Sequence, residues 1–111
     1  MNPKLEILER VGTAAALEQL AEEAAELAQS ALKAARVLRG RNPTPVEFPA
    51  AFDSLKEEIG DVRLCVSVLE SAEGWEFDTK EAEEKKLLRW QNRLNEFYGG
   101  GSNAACRGNM K

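Results

Sequence analysis

The chain has 111 residues, of which 43% are hydrophobic and 31% charged, and its 15 basic and 19 acidic residues leave a net charge of −4. That length allows one compact domain and excludes two independent ones. The acidic balance gives no electrostatic reason to prefer nucleic acid or an anionic membrane.

Composition removes further classes. There is no histidine, which excludes His-based acid–base catalysis, Ser-His and Cys-His nucleophiles, and most zinc and di-iron sites. Any chemistry falls to carboxylates, Lys, Arg and a metal. Cys65 and Cys106 have no CxxC spacing, so no disulfide framework is expected. No stretch approaches the roughly 20 apolar residues of a membrane span. The opening Met-Asn-Pro-Lys-Leu-Glu lacks the apolar run of a signal peptide. A reducing cytoplasm is the expected location.

Ala, Leu, Glu, Lys, Gln and Arg dominate, all strong helix formers, and no alternating strand pattern is present. The expectation is an all-α chain. Asn2 before Pro3 predicts an N-cap with proline at the first helical position, opening a short helix to about Val11. Gly12-Thr13 predicts a break, with Thr13 capping the next helix. That helix spans Ala14 to Arg39, with a stripe of Leu17, Leu20, Ala21, Ala24, Leu27, Ala28, Ala31, Ala35 and Leu38. Gly40 predicts its stop, and Arg41-Asn42-Pro43-Thr44-Pro45 a loop.

A third helix is predicted from near Pro49 to before Gly74, with a main stripe of Phe52, Leu55, Ile59, Val62, Val66 and Leu69. Leu64, Cys65 and Val68 add apolar surface on other sides. A helix apolar on several sides is central, which in so small a chain suggests a second subunit covering it. Asp78-Thr79-Lys80-Glu81 predicts a capping box for a fourth helix to about Phe97, with Leu87, Trp90, Leu94 and Phe97 facing inward. Residues 1–98 are thus expected to form the helical domain, and the Gly-rich residues 99–111 a disordered tail.

Three constellations could carry chemistry. In Glu22-Glu23-Ala24-Ala25-Glu26, the acids at i, i+3 and i, i+4 are helical neighbours beside the apolar stripe, with Gln19 and Ser30 on the same flank. In Glu58-Ile59-Gly60-Asp61, Glu58 and Asp61 repeat the i, i+3 spacing, with Glu57 next to them. Two antiparallel helices so equipped would gather four carboxylates at one seam. Such a cluster repels itself or takes up protons unless a hard cation resolves it. Oxygen-only ligands point to Mg²⁺, Mn²⁺ or Ca²⁺. Lys86, Arg89 and Arg93 form a cationic row on the last helix, suited to a polyphosphate.

Each feature also has a plainer reading. Acidic residues on a helix are usually a solvated face, and the basic row is more often paired with Glu81, Glu83 and Glu84. Trp75 and Trp90 fit a core or interface, and Cys65 a small buried hydrophobe. Gly60 inside a helix costs about 1 kcal/mol relative to Ala, which leaves room for another backbone or a ligand.

Glu-Glu-x-x-Glu on one helix followed by Glu-x-x-Asp on the next resembles the MazG-like all-α nucleoside triphosphate pyrophosphohydrolases. The flanking text, Leu20-Ala21-Glu22-Glu23-Ala24-Ala25-Glu26-Leu27 and Leu55-Lys56-Glu57-Glu58-Ile59-Gly60-Asp61-Val62, is similar too, as is Lys86-Leu87-Leu88-Arg89-Trp90. The resemblance covers about residues 5 to 97. It implies a bundle of about four helices completed by dimerisation or higher assembly. It also implies Mg²⁺-dependent hydrolysis of an NTP or dNTP to a monophosphate and pyrophosphate. Glu23, Glu26, Glu58 and Asp61 match the metal-binding positions. Glu22 matches the motif's first acid, which orients water or a second metal, and Glu57 is a further candidate to accept the proton. Lys86 and Arg89 would contact phosphates, with Arg93 extending the row. The link between the acidic motifs is long for that family, and the Gly-rich end is foreign to it. Phosphoribosyl-ATP pyrophosphohydrolase shares the helical architecture, and a non-catalytic dimeric helical module would keep the fold without the site. A di-iron bundle lacks its Glu-x-x-His pairs here.

Overall fold

The computed structural model describes residues 2–40 and 46–98. The described residues form helices α1 (Pro3–Val11), α2 (Thr13–Leu38), α3 (Phe48–Leu69) and α4 (Lys80–Phe97), with no strand among them. The all-α expectation holds. The chain divides after Glu76 into two units, the first carrying α1 to α3 and the second α4. The expected Pro43-Thr44-Pro45 loop, the tail from residue 99 and Cys106 lie outside the described residues.

Local chemistry explains the boundaries of the first unit. The Asn2 side chain accepts a hydrogen bond from the Lys4 backbone N–H at 3.0 Å, and Pro3 opens α1 where its missing N–H costs nothing. Gly12 ends α1 at φ 87°, a left-handed value that disfavours any side chain. Thr13 does not cap α2: it is the first helical residue, and Gly12 occupies the cap position with no side-chain bond. Gly40, at φ 68°, closes α2, its N–H donating to the Val37 carbonyl at 3.1 Å.

The packing face of α2 differs from the predicted stripe. The buried and half-buried residues include Ala16, Leu20, Glu23, Leu27, Ser30, Ala34 and Val37. These alternate by four and three residues, the spacing of a helix packed lengthwise against a partner. Leu17, Ala21, Ala24, Ala28, Ala31 and Leu38 of the predicted stripe are exposed. Alanine occurs on every side of α2, so hydrophobicity alone does not locate the seam. On α3 the matching series is Phe48, Ala51, Leu55, Glu58, Val62, Cys65 and Leu69. Phe52 is exposed instead and lies 5.9 Å from the Phe48 ring, centroid to centroid.

The register is antiparallel. Ala16, early in α2, shares a core with Val68 and Leu69 at the end of α3, whereas Glu23 meets residues nearer the middle of α3. Leu8 of α1 completes that core, with Leu20, Ala72 and Trp75 packed on it. Toward the other end, Ala34 of α2 and Ala51 of α3 are buried. An acidic layer therefore interrupts a seam that is otherwise apolar but for Ser30.

Among the described residues, no atom beyond its own stretch of helix lies within 4 Å of where a Gly60 Cβ would stand, so none of them makes the close approach its lack of a side chain allows. Gly60→Ala is expected to stabilise the protein by roughly 0.5–1 kcal/mol through helix propensity. A higher urea midpoint would show it. A lower one would mean that a second molecule packs at Gly60.

In the second unit, α4 begins at Lys80, and the predicted capping box does not form. Asp78 accepts from the Lys80 backbone N–H at 3.2 Å, while the Thr79 hydroxyl donates to the Glu83 carboxylate. Glu81 instead pairs with Lys85 at 3.0 Å. Leu87, Trp90 and Phe97, expected to face inward, are exposed, and Leu94 is half-buried. An amphipathic pattern shows which face is apolar, not whether anything covers it.

Candidate metal centre

The acids of α2 and α3 meet at the middle of the seam. One carboxylate oxygen from each of Glu23, Glu26 and Glu58 lies within 4.8 Å of the others. Glu23 and Glu58 are half-buried, and Glu26 sits at the exposed rim. The i, i+3 step on α2 puts Glu23 and Glu26 on adjacent turns, and the antiparallel register sets Glu58 opposite them. The Asp61 charge acts on both Glu23 and Glu58. Three of the four carboxylates expected at one seam are therefore gathered there, with Asp61 near enough for its charge to act on two of them.

Glu23 was expected to flank the stripe; it stands in the packing face itself, seven residues from both Ala16 and Ser30. This placement has an electrostatic consequence. Burial first, then the Glu26 and Asp61 charges, push the Glu23 carboxyl above its ordinary value of 4.5, partly opposed by a hydrogen bond from Gln19. Burial and then Glu26, Asp61 and Glu23 push Glu58 in the same direction. Glu23 Oε2 and Glu58 Oε2 are buried oxygens with no hydrogen-bond partner. Ionised carboxylates only accept hydrogen bonds. Such oxygens at close quarters call for a proton or a cation between them.

Those shifts fix a sign. An acid whose folded value is raised favours folding in its protonated form. Its contribution is present below the ordinary value of 4.5 and is lost as pH rises through the raised values of Glu23 and Glu58. In EDTA, a protein carrying both Glu23→Gln and Glu58→Gln is expected to lose less thermal stability between about pH 5 and 7 than the unmodified protein. Parallel melting profiles would contradict that.

A cleft of about 460 Å³ opens beside the carboxylates. Ile7, Val11, Ala16, Leu64 and Val68 form its apolar wall, and Gln19, Glu23, Asp61 and Cys65 also line it. Cys65, expected to be a buried hydrophobe, is a half-buried free thiol. Burial, then Glu23 and Asp61, push that thiol up, which makes it a poor nucleophile.

The remaining candidates are placed as follows. Glu22 and Glu57 are exposed, each next in sequence to a member of the carboxylate trio. Lys86, Arg89 and Arg93 are exposed on α4, in the second unit, and none has an ion-pair partner among the described residues. Trp75 packs against the core of the first unit, and Trp90 is exposed. Ser30, noted on the acidic flank, has a buried hydroxyl without a partner. Sequence reasoning placed Gln19 on that flank but missed its bond to Glu23; the i, i+4 spacing of an amide and a carboxylate was the available signal.

No helix among the described residues is long and apolar enough to cross a membrane. Comparison with protein-family models, curated proteins and solved structures found no match to this chain.

Proposed function

We propose that this chain is a Mg²⁺-dependent nucleoside triphosphate pyrophosphohydrolase, converting a (d)NTP and water to a (d)NMP and pyrophosphate. The supporting observation is the oxygen-only cluster of Glu23, Glu26 and Glu58, with two of its oxygens buried and unpartnered. Its donor set suits a hard divalent cation. Glu23, Glu26, Glu58 and Asp61 hold Mg²⁺ in this reading. When bound, Mg²⁺ supplies charge neutralisation at the α-phosphate and acidifies water there.

The chain's own residues do the rest. Water attacks the α-phosphorus, the bond to the bridging oxygen breaks, and pyrophosphate leaves with that oxygen. Glu22 or Glu57 accepts the proton that the attacking water loses. Lys86, Arg89 and Arg93 neutralise the charge that grows on the leaving pyrophosphate.

The same proposal has the protein working in the cytoplasm as a homo-oligomer. Leu32, Leu38, Phe52 and Leu64 are exposed on α2 and α3, as is Leu17. Large apolar side chains in such number favour a covering partner. Light scattering after size exclusion tests this, and a monomer at all concentrations would remove it.

The reaction is tested by pyrophosphate release from a panel of NTPs and dNTPs, with Mg²⁺ and with EDTA. Mg²⁺-dependent release with a monophosphate as co-product is expected. Orthophosphate with a diphosphate would mean the wrong bond. No turnover across the panel would overturn the assignment.

A further inference from the structure

Gln19 stands one helical turn before Glu23 on α2, and its side-chain N–H donates to Glu23 Oε1 at 3.0 Å. The other oxygen, Glu23 Oε2, is buried without a partner, and Glu23 belongs to the trio with Glu26 and Glu58. A glutamate beside three other acids is pushed outward, toward solvent, by their charge. Something must hold it at the seam until a cation arrives.

We propose that Gln19 is a positioning residue for the carboxylate site. It ties down one oxygen of Glu23 and leaves the other to the cation shared with Glu26 and Glu58. This rests on the cation reading above. The chemistry of the donor matters. A Lys or Arg at position 19 would make the same bond but would bring a positive charge that competes with the cation. The glutamine amide donates and adds no charge. Gln19 also lines the cleft beside Glu23 and Asp61, so it stands at the edge of the site and not in the core. Because it is exposed, its replacement leaves the helix packing intact.

The test is Mn²⁺ binding by the full chain, read from the EPR signal of free Mn²⁺, with helicity followed by circular dichroism. Gln19→Met keeps the length of the side chain and removes the donor. Gln19→Glu keeps the shape, removes the donor at neutral pH and adds a negative charge. Positioning predicts that both variants weaken Mn²⁺ binding, by about tenfold to a hundredfold, the usual effect of losing an outer partner of a metal ligand. Helicity stays unchanged. If charge alone governed the site, Gln19→Glu would bind Mn²⁺ more tightly. That result, or unchanged affinity in Gln19→Met, would overturn the proposal. An unmodified chain that binds no Mn²⁺ would remove the cation reading and this inference together, and is distinguished by failing before any variant is compared.

Discussion

Glu58→Gln is expected to cut Mg²⁺-dependent pyrophosphate release by about a hundredfold or more, with helicity unchanged. Loss of an electrostatic group acting on developing charge has effects of that size. The substitution keeps the side chain's length and removes a negative charge from the carboxylate trio. The amide presents an N–H₂ group where a cation needs an oxygen. Folding should not suffer, because the charged form of Glu58 is already disfavoured by burial and by Glu26, Asp61 and Glu23. In EDTA the variant is expected to melt at or above the temperature of the unmodified protein. Full turnover in Glu58→Gln would remove Glu58 from the metal site. Lost turnover together with lost helicity would instead report a folding defect.

Leu69→Ala has the largest expected effect on stability, a loss of about 2–5 kcal/mol. Leu69 is 0% exposed and sits where α1, α2 and α3 converge. Three of the six buried hydrophobic residues described are alanines, so little else can fill the gap. A loss of that size in a domain this small lowers the melting temperature by on the order of 10 °C or more. Leu64→Ala removes the same atoms from a residue 53% exposed, and as a monomer the protein should lose no more than about 1 kcal/mol. Equal losses in the two variants would mean that Leu64 is covered in solution, which favours the oligomer.

Helix positions were legible because they depend on short-range chemistry. Pro3 after Asn2, Gly40 at the end of α2 and the helix-forming composition between them act over a few residues. The acid pairs were legible for the same reason, since i, i+3 spacing on a helix brings side chains together whatever the tertiary structure. Capping was less secure. Asp78 and Thr79 both have side chains able to cap; with α4 starting at Lys80, Thr79 holds the cap position and makes no cap bond, while Asp78 accepts from the Lys80 N–H.

By itself, then, the sequence determined an all-α chain, the approximate extents of its helices and two acidic pairs on successive long helices. Only the tertiary structure decided which stripe of α2 is the seam, because its many alanines make several faces equally apolar. That choice moved Glu23 from beside the packing face into it, and burial with the neighbouring Glu26 and Asp61 then raised its proton affinity. Tertiary register likewise decided that Glu58 stands opposite Glu23 and Glu26, since pairing between helices distant in sequence depends on how their side chains interlock along the whole seam.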